Sequence, residues 1–508
     1  MAAVTALVIA TGCGGKDDSP SAAAGMPAAE CGQSAARTDP ARETRAMWIA
    51  SVGNGDWPAQ PGLSPARQQA QYRHLLDVAQ KLNLNTVYVQ IRPAADAFYP
   101  SPYEPWSEYL TGKQGRDPGY DPLRFLVTEA HARGLEFHAW FNPYRVSTRP
   151  DRKRLAPGNP ARRHPDWVHR YGDNLWYDPG LPEVRNLVSQ VVLDVVRKYD
   201  IDGVHFDDYF YPYPLPGKAF PDQATFKKYG SGFKGVADWR RHNVDMLVQG
   251  LYTQIHQAKR WVKFGISPFG VWRNRSTDPA GSDTAALQSY DEIYADSRKW
   301  VKNGWVDYVA PQLYWPVGFK AADYRTLVAW WARQVSGTPV QLIIGQAAYQ
   351  VGHGSPWHDP AELSRHLTID SAHPAVGGDA FFSAIDLVKD RRGFASRLLR
   401  DHYARPAIAP AAARPGGGPP AAPTGLEAKA GRLSWKGSGA AAYAIYRAPA
   451  NGPACIRPDG RLLLKVVGGG ARETVDATAR SGRGYTYYVT ALNRLHRESP
   501  TTRGANVG

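Results

Sequence analysis

Cysteine is scarce in this chain. Cys13, Cys31 and Cys455 are the three in 508 residues, too few for a disulfide framework and without CxxC or Cys/His metal-ligand spacing. No HExxH or comparable spacing links His131, His138, His164, His169, His205, His242 and His256, which argues against metal-dependent amidase or deacetylase chemistry. Neither a metal nor a cofactor is expected. Long apolar runs are also missing: the stretch Ala2 to Ala10 is far below the roughly 20 residues that cross a bilayer as a helix. The 61 Lys+Arg exceed the 46 Asp+Glu for a net charge of +15, a balance that favours polyanionic partners such as cell-wall polymer, anionic lipid or nucleic acid. Yet no basic run or nucleic-acid motif stands out, so the charge reads as solvated surface and nucleic acid is not an expected partner.

Aromatic residues, by contrast, are plentiful at 11%, with 16 Trp, and hydrophobic residues reach 43%. Such rings suit a large core and also serve as flat platforms with polar edges for sugars. At its N-terminus the apolar run ends in Ala10-Thr11-Gly12-Cys13, similar to a bacterial lipoprotein signal whose cysteine becomes lipidated. Two departures stand beside it: no Lys or Arg precedes the run, and the run is short, which leaves the true start open. The expectation is a signal and tether over residues 1–41, with Cys13 as membrane anchor and the rest in the cell envelope, at the periplasmic face of the outer membrane.

From residue 42 to 403 strand-like and helix-like segments alternate. The strands expected are Ala46–Val52, Thr86–Ile91, Leu135–Phe141, Gly203–Phe206, Val262–Ser267, Asp307–Leu313, Gln341–Ala347 and Asp379–Ser383. The helices expected are Pro65–Leu82, Pro122–Arg133, Pro182–Tyr199, Asp238–Lys259, Tyr290–Lys302, Ala322–Val335, Pro360–Ser371 and Asp386–His402. In the third, Val184, Leu187, Val188, Val191 and Val195 fall on one face. This is the α/β pattern of a (β/α)8 TIM barrel rather than of a doubly wound open sheet. Residues 404–422 are rich in Pro, Ala and Gly and read as a linker. Beyond them, at 423–508, come short alternating strands, with Leu433-Ser434-Trp435, Tyr443-Ala444-Ile445-Tyr446-Arg447 and Tyr485 to Asn493, a series that resembles a fibronectin type III sandwich.

In a parallel barrel function gathers at the carboxyl ends of the strands. The fourth strand there delivers His205-Phe206-Asp207-Asp208-Tyr209-Phe210-Tyr211-Pro212. Alternation puts His205 and Asp207 on one side, and Asp208, opening the loop, can turn back over the mouth. A helix or turn cap would need one Asp, not a pair followed by an aromatic run. The other strand ends add a ring of polar and aromatic groups: Trp48; Gln90, Arg92 and Asp96, with Glu104 further along; His138, Trp140, Asn142, Tyr144 and Arg145; Tyr209; Ser267 and Trp272; Gln312, Tyr314 and Trp315. Polar groups at such positions cost free energy unless partnered, so the ring reads as a binding site. Glu136 and His138 read equally well as satisfied core residues.

Arg45-Ala-Met-Trp48-Ile-Ala, Val89-Gln-Ile-Arg-Pro-Ala-Ala-Asp96-Ala, Glu104-Pro-Trp-Ser, His138-Ala-Trp-Phe-Asn-Pro-Tyr-Arg145, the His205 to Pro212 run, Asp238-Trp-Arg-Arg-His-Asn243, Phe264-Gly-Ile-Ser-Pro-Phe-Gly270 and Pro311-Gln-Leu-Tyr-Trp315 together resemble the glycosyl hydrolase-like 10 family of bacterial envelope proteins. The resemblance covers roughly residues 42–385. It implies a glycosidase-like barrel, peptidoglycan glycan strands as substrate, and cell-wall or division proteins as further partners. Two glycosidase schemes suit the pair. In the first, similar to amylase-type barrels, Asp207 is the nucleophile of a retaining enzyme; those barrels carry a Glu on strand five, where this chain has Gly-Ile-Ser-Pro. In the second, similar to hexosaminidases, the substrate's own 2-acetamido group attacks, one Asp orients it and the next protonates the leaving oxygen, with Tyr314 at the oxazoline. The second scheme is preferred, with Asp207, Asp208 and Tyr314 as catalytic residues. A non-catalytic glycan-binding lipoprotein is the rival; a dead site would be expected to have lost the carboxyl pair.

Overall fold

The computed structural model describes residues 42–414, 417–480 and 482–507; the expected lipidation site Cys13 and the tether lie outside them. Eight parallel strands close into a barrel: β1 Thr44–Ile49, β2 Thr86–Arg92, β3 Glu136–Phe141, β4 Gly203–Phe206, β5 Lys263–Ile266, β6 Tyr308–Val309, β7 Gln341–Gln346 and β8 Val376–Phe381, with β1 pairing both β2 and β8. The helices packed outside include α1 Pro65–Lys81, α2 Pro122–Ala132, α3 Pro182–Lys198, α4 Val236–Ala258, α5 Ser297–Lys302, α6 Tyr324–Val335, α7 Glu362–Ser371, α8 Ala384–Lys389 and α9 Phe394–Asp401. The (β/α)8 expectation holds.

Local chemistry explains the helix starts. Ser64 caps α1, its hydroxyl accepting from Arg67 N–H, and Asp121 caps α2 through Arg124 N–H at 3.0 Å, each followed by a proline at the first helical position. On α3 the expected face, Val184, Leu187, Val188, Val191 and Val195, is buried throughout. Three elements depart most from expectation. β6 pairs over only two residues because Pro311, two places on, has no N–H for the ladder; the chain continues past it through isolated bridges from Gln312 to Phe269 and Gly345. The helix expected over 290–302 is split, with Tyr294 at φ 58° and Asp296 recapping α5. The last one divides into α8 and α9 at Asp390, Arg392 and Gly393, all with positive φ.

The barrel interior is filled mainly by aromatic and imidazole side chains. Ala46, Trp48, Tyr88, Trp140, Tyr308 and Ala380 belong to one buried cluster. Two glycines make room for it. A Cβ on Gly203 would lie 2.4 Å from the His138 ring, and one on Gly265 2.1 Å from the Tyr308 ring, so neither wall position tolerates a side chain without displacing the filling.

Residues 423–508 hold two antiparallel sheets. β9 Thr424–Lys429, β10 Arg432–Lys436 and β13 Glu473–Val475 form one; β11 Ala442–Pro449, β12 Leu463–Gly468, β14 Tyr485–Leu492 and β15 Ala505–Val507 form the other. Residues 405–414 lie along the barrel, with Ala407, Ile408 and Ala409 buried and Ile408 accepting from Glu43 N–H at 3.1 Å. Below the barrel, at the amino ends of its strands, His496 Nε2 meets Glu136 at 2.6 Å, Arg494 meets Asp202 at 3.2 Å, and Arg414 meets Asp307 at 2.9 Å. The C-terminal module is therefore docked on the face opposite the carboxyl ends.

Candidate active site

At the carboxyl ends of the strands lies a chamber of about 220 Å³, walled by Trp48, Trp140, Phe382 and Tyr314, with Gln90 and Ser267 low on its sides. Asp207, Asp208 and Tyr209 enter it from the end of β4, and Gln312 from just beyond β6. Asp208, Gln312 and Tyr314 also line a wider groove of about 630 Å³ whose other walls include Tyr213, Phe269, Trp315, Phe319, Tyr349 and Trp357. Phe319 is 43% and Tyr349 36% exposed, large rings left open beside a carboxyl pair.

Asp207 is the more tightly held of the pair. Its Oδ1 accepts from Asp208 N–H at 2.9 Å and from Gln312 Nε2 at 3.3 Å, and its Oδ2 from Asn142 Nδ2 at 3.0 Å. Asn142 is fixed in turn by Gln90 Nε2 at 2.5 Å and by Arg145 at 3.3 Å, while Gln90 Oε1 accepts from Val52 N–H at 2.8 Å. Asp208 is 5% exposed. Burial and the adjoining Asp207 carboxylate push its pKa well above the ordinary carboxylate value, opposed in part by the Tyr213 hydroxyl that donates to its Oδ2. One carboxyl group thus holds its proton more tightly than an ordinary carboxyl does, beside another anchored by donors. Burial and the negative charge of Asp207 likewise hold Tyr314 as a neutral phenol, able to donate. Trp140 lines the chamber with an indole N–H that has no protein partner.

Beneath the chamber a hydrogen-bond chain orders the imidazoles. Trp48 Nε1 donates to His205 Nε2 at 3.0 Å; His205 Nδ1 and His138 Nδ1 both meet Tyr308 Oη, at 3.0 and 2.8 Å. The Trp48 bond makes His205 Nε2 an acceptor, so its proton sits on Nδ1. Burial pushes the His205 pKa well below its ordinary value, and His138 adds to this. His205 is a neutral floor residue, stacked on Tyr88 at 4.5 Å.

The structure brings Trp48, Gln90, Trp140, Asp207, Asp208, Tyr209, Ser267, Gln312 and Tyr314 to the chamber and Trp315 to the groove. Asn142, Arg145 and His205 act one layer back: Arg145 donates to Tyr209 Oη and to Pro93 O at 2.8 Å, fixing the tyrosine rather than meeting a ligand. Several expected binding residues are elsewhere. Arg92 and Glu104 are buried in an ion pair, with Arg92 also donating to Asn142 O and to Pro143 O at 3.1 Å, so the guanidinium ties the loop after β2 to the loop after β3. Asp96 is 1% exposed, its pKa pushed up to about 7 by burial, under that same loop. His138 lies in the barrel interior; Tyr144 is fully buried below the loop after β3. Trp272 points away from the cavity, donating to Asp296 at 2.8 Å and stacking on Trp330. Alternation along a strand separates inward from outward side chains but does not give depth, and loop residues such as Asp96, Glu104 and Tyr144 escape it altogether.

Tyr213 and Phe382 were not anticipated. Tyr213 carried a signal, as part of the aromatic run after Asp208; Phe382 follows β8 in an Ala-Phe-Phe-Ser stretch with nothing to say which ring turns inward. A larger concavity, about 950 Å³ between Tyr99, Trp106 and Ala156, has as its one acidic wall residue Glu104, locked to Arg92. Size does not select the site; the carboxyl pair does.

The glycosyl hydrolase-like 10 family profile matches residues 43–360. The chain belongs to that family. It is 47% identical to glycosyl hydrolase YngK of Bacillus subtilis (strain 168), over 91% of this chain and 93% of that protein. To glycosyl hydrolase DigH of Escherichia coli (strain K12) it is 42% identical, over 71% of this chain and 87% of that one. Among solved structures, the glycoside hydrolase domain of PgaB (BpsB) from Bordetella bronchiseptica aligns with a TM-score of 0.48 and 18% identity, covering 71% of this chain and 98% of that one. As a glycosyl hydrolase-like 10 member, the chain brings its motifs at the ends of β1 to β6 toward the chamber, while residues 104–107 lie in the loop after β2 and residues 238–243 on α4.

Proposed function

We propose that this protein hydrolyses the glycan strands of peptidoglycan, with Asp208 as general acid and the substrate's 2-acetamido group as nucleophile. The observation that carries the reading is the asymmetry of the pair: a buried Asp208, its pKa pushed up, beside an Asp207 held by Asn142, Gln312 and a backbone N–H. In this scheme the Asp208 proton passes to the glycosidic oxygen as the C1–O bond breaks. Asp207 orients the acetamido N–H and stabilises its growing positive charge, while Tyr314 donates to the acetamido oxygen. Water then opens the oxazolinium ring and returns a proton to Asp208. A chamber of about 220 Å³ is smaller than the about 300–1,000 Å³ of drug-sized sites and suits one sugar ring, with the aromatic groove taking the sugars beyond it.

The test is turnover on aryl glycosides of N-acetylglucosamine with graded leaving groups, with mass analysis of products from purified glycan strands. Asp208→Asn should slow poor leaving groups most, by about 10²–10⁴-fold. Asp207→Asn should slow every N-acetylated substrate alike. A covalent glycosyl-enzyme trapped on Asp207 would establish the retaining alternative instead, and binding of strands without cleavage would establish the non-catalytic one.

The same reading places the protein in the cell envelope, at the periplasmic face of the outer membrane, anchored by a lipidated Cys13, with the fibronectin type III-like module as spacer and cell-wall or division proteins as neighbours. Metabolic labelling with a lipid precursor should mark the wild type and not Cys13→Ala.

A further inference from the structure

The chamber and groove hold a charge pattern opposite to that of the molecule. The chain as a whole is +15, yet neither cavity has a Lys, Arg or His among its lining residues, while Asp207 and Asp208 line the chamber. The guanidinium behind Tyr209 and Asn142, that of Arg145, is committed to Tyr209 Oη, Pro93 O and Asn142 Oδ1. The imidazole of His205 is buried below the floor between Trp48, Ser267 and Tyr308. A carboxylate brought into the chamber would lose its water beside one or two like charges and meet no counter-charge.

Peptidoglycan strands alternate two sugars that differ in this respect. N-acetylglucosamine is neutral; N-acetylmuramic acid carries a lactyl carboxylate on O3 once its peptide has been removed. Both carry the acetamido group that the mechanism uses, so mechanism alone does not choose between them. The walls do. Trp48 and Trp140 are 2% and 3% exposed and enclose the ring that sits against the carboxyl pair. The groove is wider, and its rim residues Phe319 and Tyr349 stand open to solvent, so a lactyl group there can stay hydrated.

Resting on the reading above, we propose that the sugar cleaved at its C1 is the neutral one: the protein acts as an N-acetylglucosaminidase on these strands, with muramic acid held on the leaving-group side. Hydrolysis breaks the bond from C1 of N-acetylglucosamine to O4 of muramic acid. Water supplies the hydroxyl at C1 and the proton at O4, and each cut leaves a new N-acetylglucosamine reducing end.

The full-length protein is incubated with peptide-free glycan strands, the new ends are reduced with borohydride, and the sugar alcohols are identified after acid hydrolysis. Glucosaminitol is expected. Muramitol would overturn the proposal while leaving the glycosidase reading intact. No new ends, from strands that a muramidase control does cut, would remove the glycan reading itself. Charge is then separated from bulk with three aryl glycosides: of N-acetylglucosamine, of N-acetylmuramic acid, and of the lactyl methyl ester of the latter. The free acid should be at least about tenfold poorer than the neutral sugar in kcat/KM, and the ester should recover most of that loss. An ester as poor as the free acid would overturn the electrostatic argument.

Discussion

The acid role proposed for Asp208 depends on what surrounds it, and each neighbour can be tested separately. Its raised pKa comes first from burial and then from the charge of Asp207, while the Tyr213 hydroxyl pulls it the other way. A general acid must be protonated, so activity should fall on the alkaline side as pH rises through that raised value. Tyr213→Phe removes the one side-chain donor to Asp208 Oδ2 and should move the alkaline limb of kcat/KM to higher pH. Asp207→Asn removes the neighbouring charge and should move the limb of the residual activity to lower pH. Opposite shifts from the two variants check the assignment; a limb unmoved by either would assign it to another group. The same sign governs stability: with its pKa raised in the fold, Asp208 stabilises the protein below the unfolded carboxylate value and loses that contribution as pH rises through the folded one. At this scale the sequence was informative where residue type and strand end coincide, as for Asp207, Gln312 and Tyr314. It was silent where reach decides. Arg92 and Trp272 have the right chemistry at the right strand ends, yet each finds a nearer carboxylate, Glu104 and Asp296.

Among the elements, the barrel strands supply direction and the loops supply enclosure. The Arg92–Glu104 pair shows how. Arg92 ends β2, Glu104 lies in the loop after it, and both side chains are essentially unexposed, so the loop is fastened to the barrel by a charge pair with no access to water. Glu104→Gln would leave the guanidinium buried and unpaired, at a cost of about 3–5 kcal/mol. Replacing the pair together, Arg92→Met with Glu104→Leu, should cost less than either single change, a non-additivity that urea unfolding of the four proteins would measure. The strands were legible as apolar runs between helical periodicities, and β4 was read to the residue. Breaks in helices were not, because Tyr294 and Asp390 adopt positive φ for tertiary reasons that no local propensity announces. The small three-stranded sheet of Arg145–Ser147, Val168–Tyr171 and Asn174–Tyr177 within the loop after β3 was hidden similarly, since strands of three and four residues are too short to show a period.

For the whole molecule, the question is what the C-terminal module contributes. The candidate acids and phenol of the site lie between β4 and the residues after β6, so the cleavage proposed above is assigned to the barrel. But the module covers the amino ends of the strands, where charged groups are buried under it. Glu136, on β3, meets Lys263 at 2.8 Å and His496 at 2.6 Å; Asp202, just before β4, meets His131 at 2.7 Å and Arg494 at 3.2 Å. Burial pushes Asp202 up, yet Arg494 and His131 outweigh it and hold its pKa below the ordinary value; burial pushes His131 down, yet Asp202 outweighs that and raises it. The His131 contribution is present below its unfolded pKa and lost as pH rises through the folded one. The Asp202 contribution is present above its unfolded pKa and lost as pH falls through the folded one. Their shared stabilisation is greatest in the window between, from mildly acidic pH to near neutrality. Truncation after residue 403 strips His496, Arg494 and Arg414 from Glu136, Asp202 and Asp307 and opens that face to water. The expected result is a clear drop in Tm, largest in this pH window, with turnover per folded molecule on soluble glycan fragments kept within a few-fold. Arg494→Ala should reproduce a fraction of the Tm loss without touching turnover. A truncated barrel as stable as the full chain would make the docked face a contact without consequence, and a folded truncation devoid of turnover would overturn the assignment of cleavage to the barrel alone.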